Sequence, residues 1–381
     1  MKRLLISFCF LLVFNVVKAQ NLKTQIVVLG NDQFTLAAAT QAAKSGVSTI
    51  ILNNLSAQDL IKDLSLNSWL VKGILDTNKN KNIDNQNIPS LLDSVENLKV
   101  LNSVNWIKVD RSGSGWNIKL KDGRSVRAEV LLYGIKEDLS ALLKYSPKTV
   151  SKKLNYEDNK YRTSVAGYFV DGVSNYSLLK DFIPETDENL VLLNFEDVNM
   201  DIARAAGVIA AYAPFFKVKV SSTKLKPVQG EMLGFKSPII AISDVFESDN
   251  NWRAIQNIVQ TGILKLSINE NGAYFEGDKP VSLKEISEPL KAYFYKAKIW
   301  IEDHEAVELS IKKTVELIAY TRNKSAESLL SEIKKKWQST YKFNGELNAE
   351  RIIARREFAA ITQDYLELEQ VNIDNLGEVI R

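Results

Sequence analysis

The chain has 381 residues, enough for two or so packed units, and 45% of them are apolar, enough for a sizeable buried core. Forty-nine Lys and Arg stand against 46 Asp and Glu, a balance of +3, so the strong basic excess of a nucleic-acid binder is absent. One Cys and one His exclude disulfide frameworks and Cys/His zinc sites within one chain.

Met1-Lys2-Arg3 is a short basic head. Residues 4–17 are nearly continuous apolar sequence, and Val17-Lys18-Ala19 offers small side chains where a signal peptidase reads. Residues 1–19 are therefore expected to be a secretory signal peptide. The apolar run is shorter than the roughly 20 residues of a spanning helix, so a membrane anchor is not expected. Cleavage removes three basic residues and Cys9, leaving 46 basic against 46 acidic residues and no cysteine. An exported protein, periplasmic or secreted, then depends on core packing for its stability.

Gln25-Ile26-Val27-Val28-Leu29 is a β-branched run ending at Gly30. An alanine-rich helix follows over residues 34–44, stopped by Gly46, and residues 47–52 form a second strand. Strand–helix–strand in about 30 residues is a βαβ unit and implies a parallel sheet. Residues 56–75 and 91–101 carry helical spacing. Residues 104–110, 116–120 and 125–128 alternate as strands, with turn signals at Ser112-Gly113-Ser114-Gly115 and Lys121-Asp122-Gly123-Arg124. Val130-Leu131-Leu132-Tyr133-Gly134 reads as a buried strand. A strand is expected at 190–194 and a strong helix at 200–213, and beyond Pro214 the chain reads as mostly helical.

This order resembles an exported FAD-dependent oxidoreductase family with a Rossmann-type FAD domain. The first βαβ unit, the strand ending in Tyr133-Gly134, the Phe182-Ile183-Pro184…Glu188-Asn189-Leu190-Val191-Leu192 stretch and the Ala205-Ala206-Gly207-Val208 helix carry the likeness. So do Val228-Gln229-Gly230-Glu231 and Ala354-Arg355-Arg356-Glu357-Phe358 in the C-terminal half. The resemblance implies an α/β, Rossmann-like FAD-oxidoreductase fold with a parallel central sheet, a β-hairpin insertion and a helical C-terminal region. It implies a Rossmann domain over 20–213, built from elements around 24–54, 100–135 and 182–213, and a helical region over 214–381. It also implies FAD as cofactor, held by Gly30, Asn31, Asp32, Phe34, Thr35, Asn53, Gly134, Ala206 and Gly207.

The family's chemistry needs bare amides at a helix start for the pyrophosphate and an acidic residue ending the second strand for the ribose. Here Gly-x-Gly-x-x-Gly becomes Gly30-Asn31-Asp32-Gln33-Phe34-Thr35, and the second strand ends at Asn53-Asn54. Tyr133 replaces the small residue before Gly134. The expectation is a degenerate dinucleotide motif with weakened or lost FAD binding. The alternative function is a non-catalytic binding or structural protein of the cell envelope. No catalytic residue, substrate or envelope partner can be named from the sequence.

Other candidates have plainer readings. Residues 76–87 place oxygen side chains at calcium-loop spacing, but Lys81 and Asn87 stand where the turn glycine and the final bidentate carboxylate belong, so a solvated loop and no metal is the reading taken. His304 lies among Glu302, Asp303 and Glu305, where an exposed turn histidine is expected, with a general base as the sharper reading. Residues 352–365 also resemble the core of surface-layer homology modules, yet Phe358, Ile361 and Tyr365 fall at core-packing spacing. Lys334-Lys335-Lys336 reads as a solvated helix face.

Overall fold

The structure, a computed structural model, describes residues 21–56, 92–134, 151–185, 187–304 and 308–380. The expected signal peptide, most of the expected 56–75 helix and the expected 76–87 loop lie outside them.

The centre is a seven-stranded sheet. Strand β1 (Asn21–Leu29) leads through helix α1 (Gln33–Lys44) to β2 (Thr49–Leu52), and β3 (Leu98–Leu101) joins on the far side of β2. Strands β4 (Trp106–Ser112) and β5 (Gly115–Leu120) form the hairpin, and β6 (Ser125–Tyr133) returns beside β1. The β1, β2, β3 and β6 pairings are parallel, and β4 and β5 run antiparallel. The sheet therefore reverses direction of growth at β1, which puts a topological switch point between β1 and β6.

Side-chain alternation explains the layering. Ile26, Val28, Val130 and Leu132 face a core shared with α1, while Val27, Leu29, Leu131 and Tyr133 face a second core with Trp116, Ile118 and Leu120. Strands buried on both faces read as continuous apolar runs, as β1 and β6 do. The reading of 125–128 and 130–134 as two strands merges into one, because the β1–β6 register is the same on both sides of Glu129.

One expectation is overturned. Residues 91–101 carry helical spacing, but Leu98–Leu101 is strand β3, in register with β2 from Thr49 opposite Leu98 to Leu52 opposite Leu101. Asn97, at φ 64°, breaks the preceding turn, and pairing to the exposed β2 edge outweighs local propensity.

After β6, three short antiparallel strands form a separate sheet in the order β7 (Lys152–Lys153), β9 (Val173–Leu178), β8 (Ser164–Val170). Strand β10 (Leu190–Leu192) then adds to the central sheet, parallel to the last residues of β6. Helix α2 (Met200–Phe216) continues through Pro214 and crosses α1. The remainder is helical: α3 (Leu225–Gly234), α4 (Trp252–Thr261), then, after a small hairpin β11 (Ser267–Asn269) and β12 (Gly272–Tyr274), α5 (Leu283–Tyr293), α6 (Tyr295–Glu302), α7 (Ile311–Arg322), α8 (Ala326–Ser339) and α9 (Arg355–Leu366). Phe358, Ile361 and Tyr365 are buried on α9, as their spacing predicts.

Candidate functional site

In an open parallel sheet the ligand crevice lies beyond the carboxyl ends of the strands at the switch point. Here that place is bounded by Gly30 after β1, Asn53 after β2 and Gly134 after β6. Gly134 N–H donates to the Leu29 carbonyl at 3.0 Å, locking the two strand ends together.

The start of α1 is capped by its own residues. The Asp32 carboxylate accepts from the Thr35 amide at 2.7 Å and from the Thr35 hydroxyl at 2.9 Å, while the Thr35 hydroxyl oxygen accepts from the Asp32 amide at 3.2 Å. This reciprocal cap takes up the Asp32 and Thr35 amides, two of those that a phosphate would otherwise use. A phosphate oxygen about 4 Å from Asp32 would also be repelled by about 4 kcal/mol at a protein-surface dielectric.

Thr35 does more than close the cap. A Cβ built on Gly30 would lie 2.2 Å from the Thr35 γ-methyl, and one on Gly134 only 2.1 Å from it. The methyl thus occupies the space that these two glycines leave open. The glycines of the switch point accommodate a side chain of the protein itself.

Asn53 is fully engaged as well. It is buried, its Nδ2 donates to Asn102 Oδ1 at 3.2 Å, and its Oδ1 accepts from the Leu55 amide at 2.9 Å. It ties the end of β2 to the end of β3. Asn31 and Phe34 are half-buried beside the cap, and the Phe34 ring packs against the main core. Ala206 and Gly207 sit elsewhere, in the buried seam between α1 and α2, where a Cβ on Gly207 would lie 2.3 Å from the Ala38 carbonyl oxygen. The structure therefore gathers Gly30, Asp32, Thr35 and Gly134 at one point. It places Asn53 at the next strand end and Ala206 and Gly207 in helix packing. These residues do not fit a dinucleotide pyrophosphate.

The start of α2 is also capped from within, Asn199 Oδ1 accepting from the Asp201 and Ile202 amides at 3.0 and 3.1 Å. Burial pushes the Asp201 carboxyl up to about 7, with Glu247 adding to it, against the opposing pull of Arg204 at 3.9 Å and the Ser237 hydroxyl. The folded state thus holds a proton that an unfolded Asp releases near pH ~3.9. This stabilising proton is fully present below about pH 4 and is lost as pH rises to about 7. Asp201→Asn is expected to flatten that part of the stability–pH profile and to be more stable than wild type at about pH 8. Urea midpoints across the range check it, and an unchanged profile would remove Asp201 from the account.

His304 lies in a turn after α6. Its Nδ1 is 2.8 Å from the Trp300 carbonyl oxygen and its ring stacks on Trp300 at 4.0 Å, so it acts as a packing residue there. The Lys334 and Lys335 side chains are exposed, while Lys336 pairs with Asp364 at 2.9 Å. Among the described residues no three His, Cys, Asp or Glu side chains cluster as metal ligands, and no helix is long and apolar enough to cross a membrane.

No protein-family model matches the chain, and no curated protein matches it. Among solved structures it is similar to a thioredoxin reductase from Gloeobacter violaceus, at 13% identity over 31% of this chain and 38% of that one, with a TM-score of 0.21. It is similar to p-nitrophenol 4-monooxygenase from Pseudomonas putida, at 12% identity over 31% of this chain and 41% of that one, TM-score 0.22. A probable FAD-dependent monooxygenase from Pseudomonas aeruginosa is matched at 10% identity over 63% of this chain and 96% of that one, TM-score 0.31. The chain spans about two-fifths of the length of the first two. Likenesses of this size define no family. The class rests on the sheet itself: an α/β protein with a mostly parallel central sheet and a helical C-terminal region.

Proposed function

We propose that this chain is an exported protein that keeps the scaffold of an FAD-dependent oxidoreductase and works without flavin, as a binding or structural protein of the cell envelope. The observation that carries the reading is the Thr35 γ-methyl wedged between Gly30 and Gly134, directly above a helix start that Asp32 already caps. A flavoenzyme needs that space and those amides for the pyrophosphate. Export is inferred from the first nineteen residues.

The test is purification of the exported protein. Its amino terminus should fall at or near Gln20, it should be colourless, and added FAD should leave flavin fluorescence unchanged. Asp32→Gly with Thr35→Gly and Asn53→Glu reopens the amides, empties the wedge and supplies a ribose acceptor. That variant is expected to bind FAD at least about a hundredfold more tightly than wild type, since each 1.4 kcal/mol is about tenfold. Stoichiometric FAD in the wild-type protein would replace this reading with that of a flavin-dependent oxidoreductase.

A further inference from the structure

The C-terminal end of α2 puts large apolar side chains into solvent. Phe215 is 59% exposed, Phe216 52% and Val218 42%. Single apolar residues are ordinary on a protein surface, but these three are contiguous. The Phe215 and Phe216 ring centroids lie 5.0 Å apart, and Phe216 lies 4.6 Å from Tyr212.

The exposure is built into the backbone. Lys217, at φ 55°, closes the helix in the left-handed conformation, and the Val218 amide donates to the Ala213 carbonyl at 2.9 Å. The helix end is thereby fixed with both phenylalanines in its last turn. Beside them is a hollow of about 390 Å³, lined from α2 by Val208, Ala211 and Tyr212 as well as the two rings, and from α3 by Pro227 and Val228. Lys44 and Glu231 are also on its wall. The apolar surface therefore runs from the rings into the hollow.

The charge along this part of the chain has one sign. Residues 202–230 carry Arg204 and four lysines and no acidic residue, in a chain whose overall balance is only +3. Lys217 follows the rings directly, and Lys224 precedes the helix whose Pro227 lines the hollow. Both lysines are exposed, and neither has an ion-pair partner among the described residues. Lys219 pairs with Glu188 at 2.7 Å and Lys226 is half-buried, so these two contribute less.

Exposed rings beside unpaired lysines match the chemistry of an anionic lipid surface. The rings enter the boundary of the acyl chains, while the lysine stems lie along it and hold their ammonium groups at the phosphates. A second copy of the chain fits less well. A two-fold contact centred on the rings would set these lysines against the same lysines of the other copy, and three side chains fall short of the about 800 Å² per partner of a stable dimer.

We propose that the end of α2 that carries Phe215 and Phe216 rests on an anionic lipid bilayer, with Lys217 and Lys224 at the headgroups. The contact is peripheral and needs no spanning helix. It shares no residue with the switch point, so it stands or falls apart from the flavin result.

The test is co-sedimentation of the purified exported protein with vesicles of phosphatidylcholine alone and of an equal mixture with phosphatidylglycerol. Binding to the mixed vesicles is expected, at least about tenfold weaker binding to phosphatidylcholine, and release from the mixed vesicles at about 1 M salt. Phe215→Ser with Phe216→Ser should weaken binding to mixed vesicles by at least about tenfold and leave the melting temperature close to wild type. Lys217→Glu with Lys224→Glu leaves the rings in place and should weaken it by about tenfold or more. Tyr295→Ser removes a comparably exposed ring on α6 and should change nothing. No binding to the mixed vesicles, equal binding to both kinds, undiminished binding by either double variant, or an equal loss with Tyr295→Ser would each overturn the proposal. So would a lipid-free dimer that the Phe215→Ser, Phe216→Ser variant dissociates, which would assign the patch to a second copy.

Discussion

Alanine at Gly207 is expected to destabilise the protein, although alanine is the better helix former. On propensity alone the change should stabilise a helix interior by up to about 1 kcal/mol. At Gly207 the added methyl would stand 2.3 Å from the Ala38 carbonyl oxygen and 2.9 Å from Gln41 Cβ. The first of these is backbone of α1 and cannot rotate aside, so the two helices must part. Overpacking of this kind costs about 1–3 kcal/mol and grows with side-chain size, so Gly207→Val should cost more than Gly207→Ala. Gly230, inside α3, is the control. A Cβ there meets nothing within 4 Å, so Gly230→Ala should be neutral or stabilising. Denaturant unfolding of the three variants reads the sign directly. Stabilisation by alanine at both glycines would mean that α1 and α2 do not approach this closely.

The second large effect is expected at Arg355, the first residue of α9. Its side chain is buried, with Nε donating to the Phe275 carbonyl at 2.7 Å, Nη2 to the Lys265 carbonyl at 2.5 Å, and Nη1 paired with Glu285 on α5. One guanidinium therefore joins α9, α5 and both flanks of the β11–β12 hairpin. Arg355→Leu keeps bulk but leaves two carbonyls and a carboxylate without their donor. Each buried acceptor left without its donor costs about 1–3 kcal/mol. Glu285→Gln leaves the carbonyl bonds intact and should cost about 1 kcal/mol or less, as suits a partly exposed partner. The two variants, measured by urea unfolding, separate the carbonyl bonds from the ion pair. An Arg355→Leu midpoint close to wild type would show that the carbonyls find water instead.

Some of this architecture was legible before any coordinates. The β1–α1–β2 unit shows in sequence because a β-branched run, an alanine-rich stretch and the glycines at 30 and 46 each act locally. The β4–β5 hairpin shows through its turn residues. Strand β3 does not, because its identity depends on a free edge of β2 rather than on its own spacing. The sheet of β7, β8 and β9 escaped notice although Asp171-Gly172, both at positive φ between Val170 and Val173, is a hairpin turn signal that could have found it. In β9, Ser174, Asn175 and Ser177 bury polar side chains, which hides any apolar alternation.

The candidate site divides in the same way. The altered glycine motif and Asn53 are visible as letters. The wedge is not, since it needs Thr35 and Gly134 to meet across about a hundred residues of chain.

The outer edge of β6 is shared between two strands. Its first residues pair with β5, and Leu131, Leu132 and Tyr133 pair with β10, with the Asn189 carbonyl accepting from both Leu131 N–H and Trp116 Nε1 at the joint. The β5 half is a local hairpin that closes within microseconds, whereas β10 must return across nearly sixty residues. During folding the chain therefore passes through an interval in which three consecutive apolar residues present an unpaired strand edge. A loop-closure delay at this one position makes the step from hairpin to completed sheet the time at which the nascent molecule is most open to pairing with a second copy of itself.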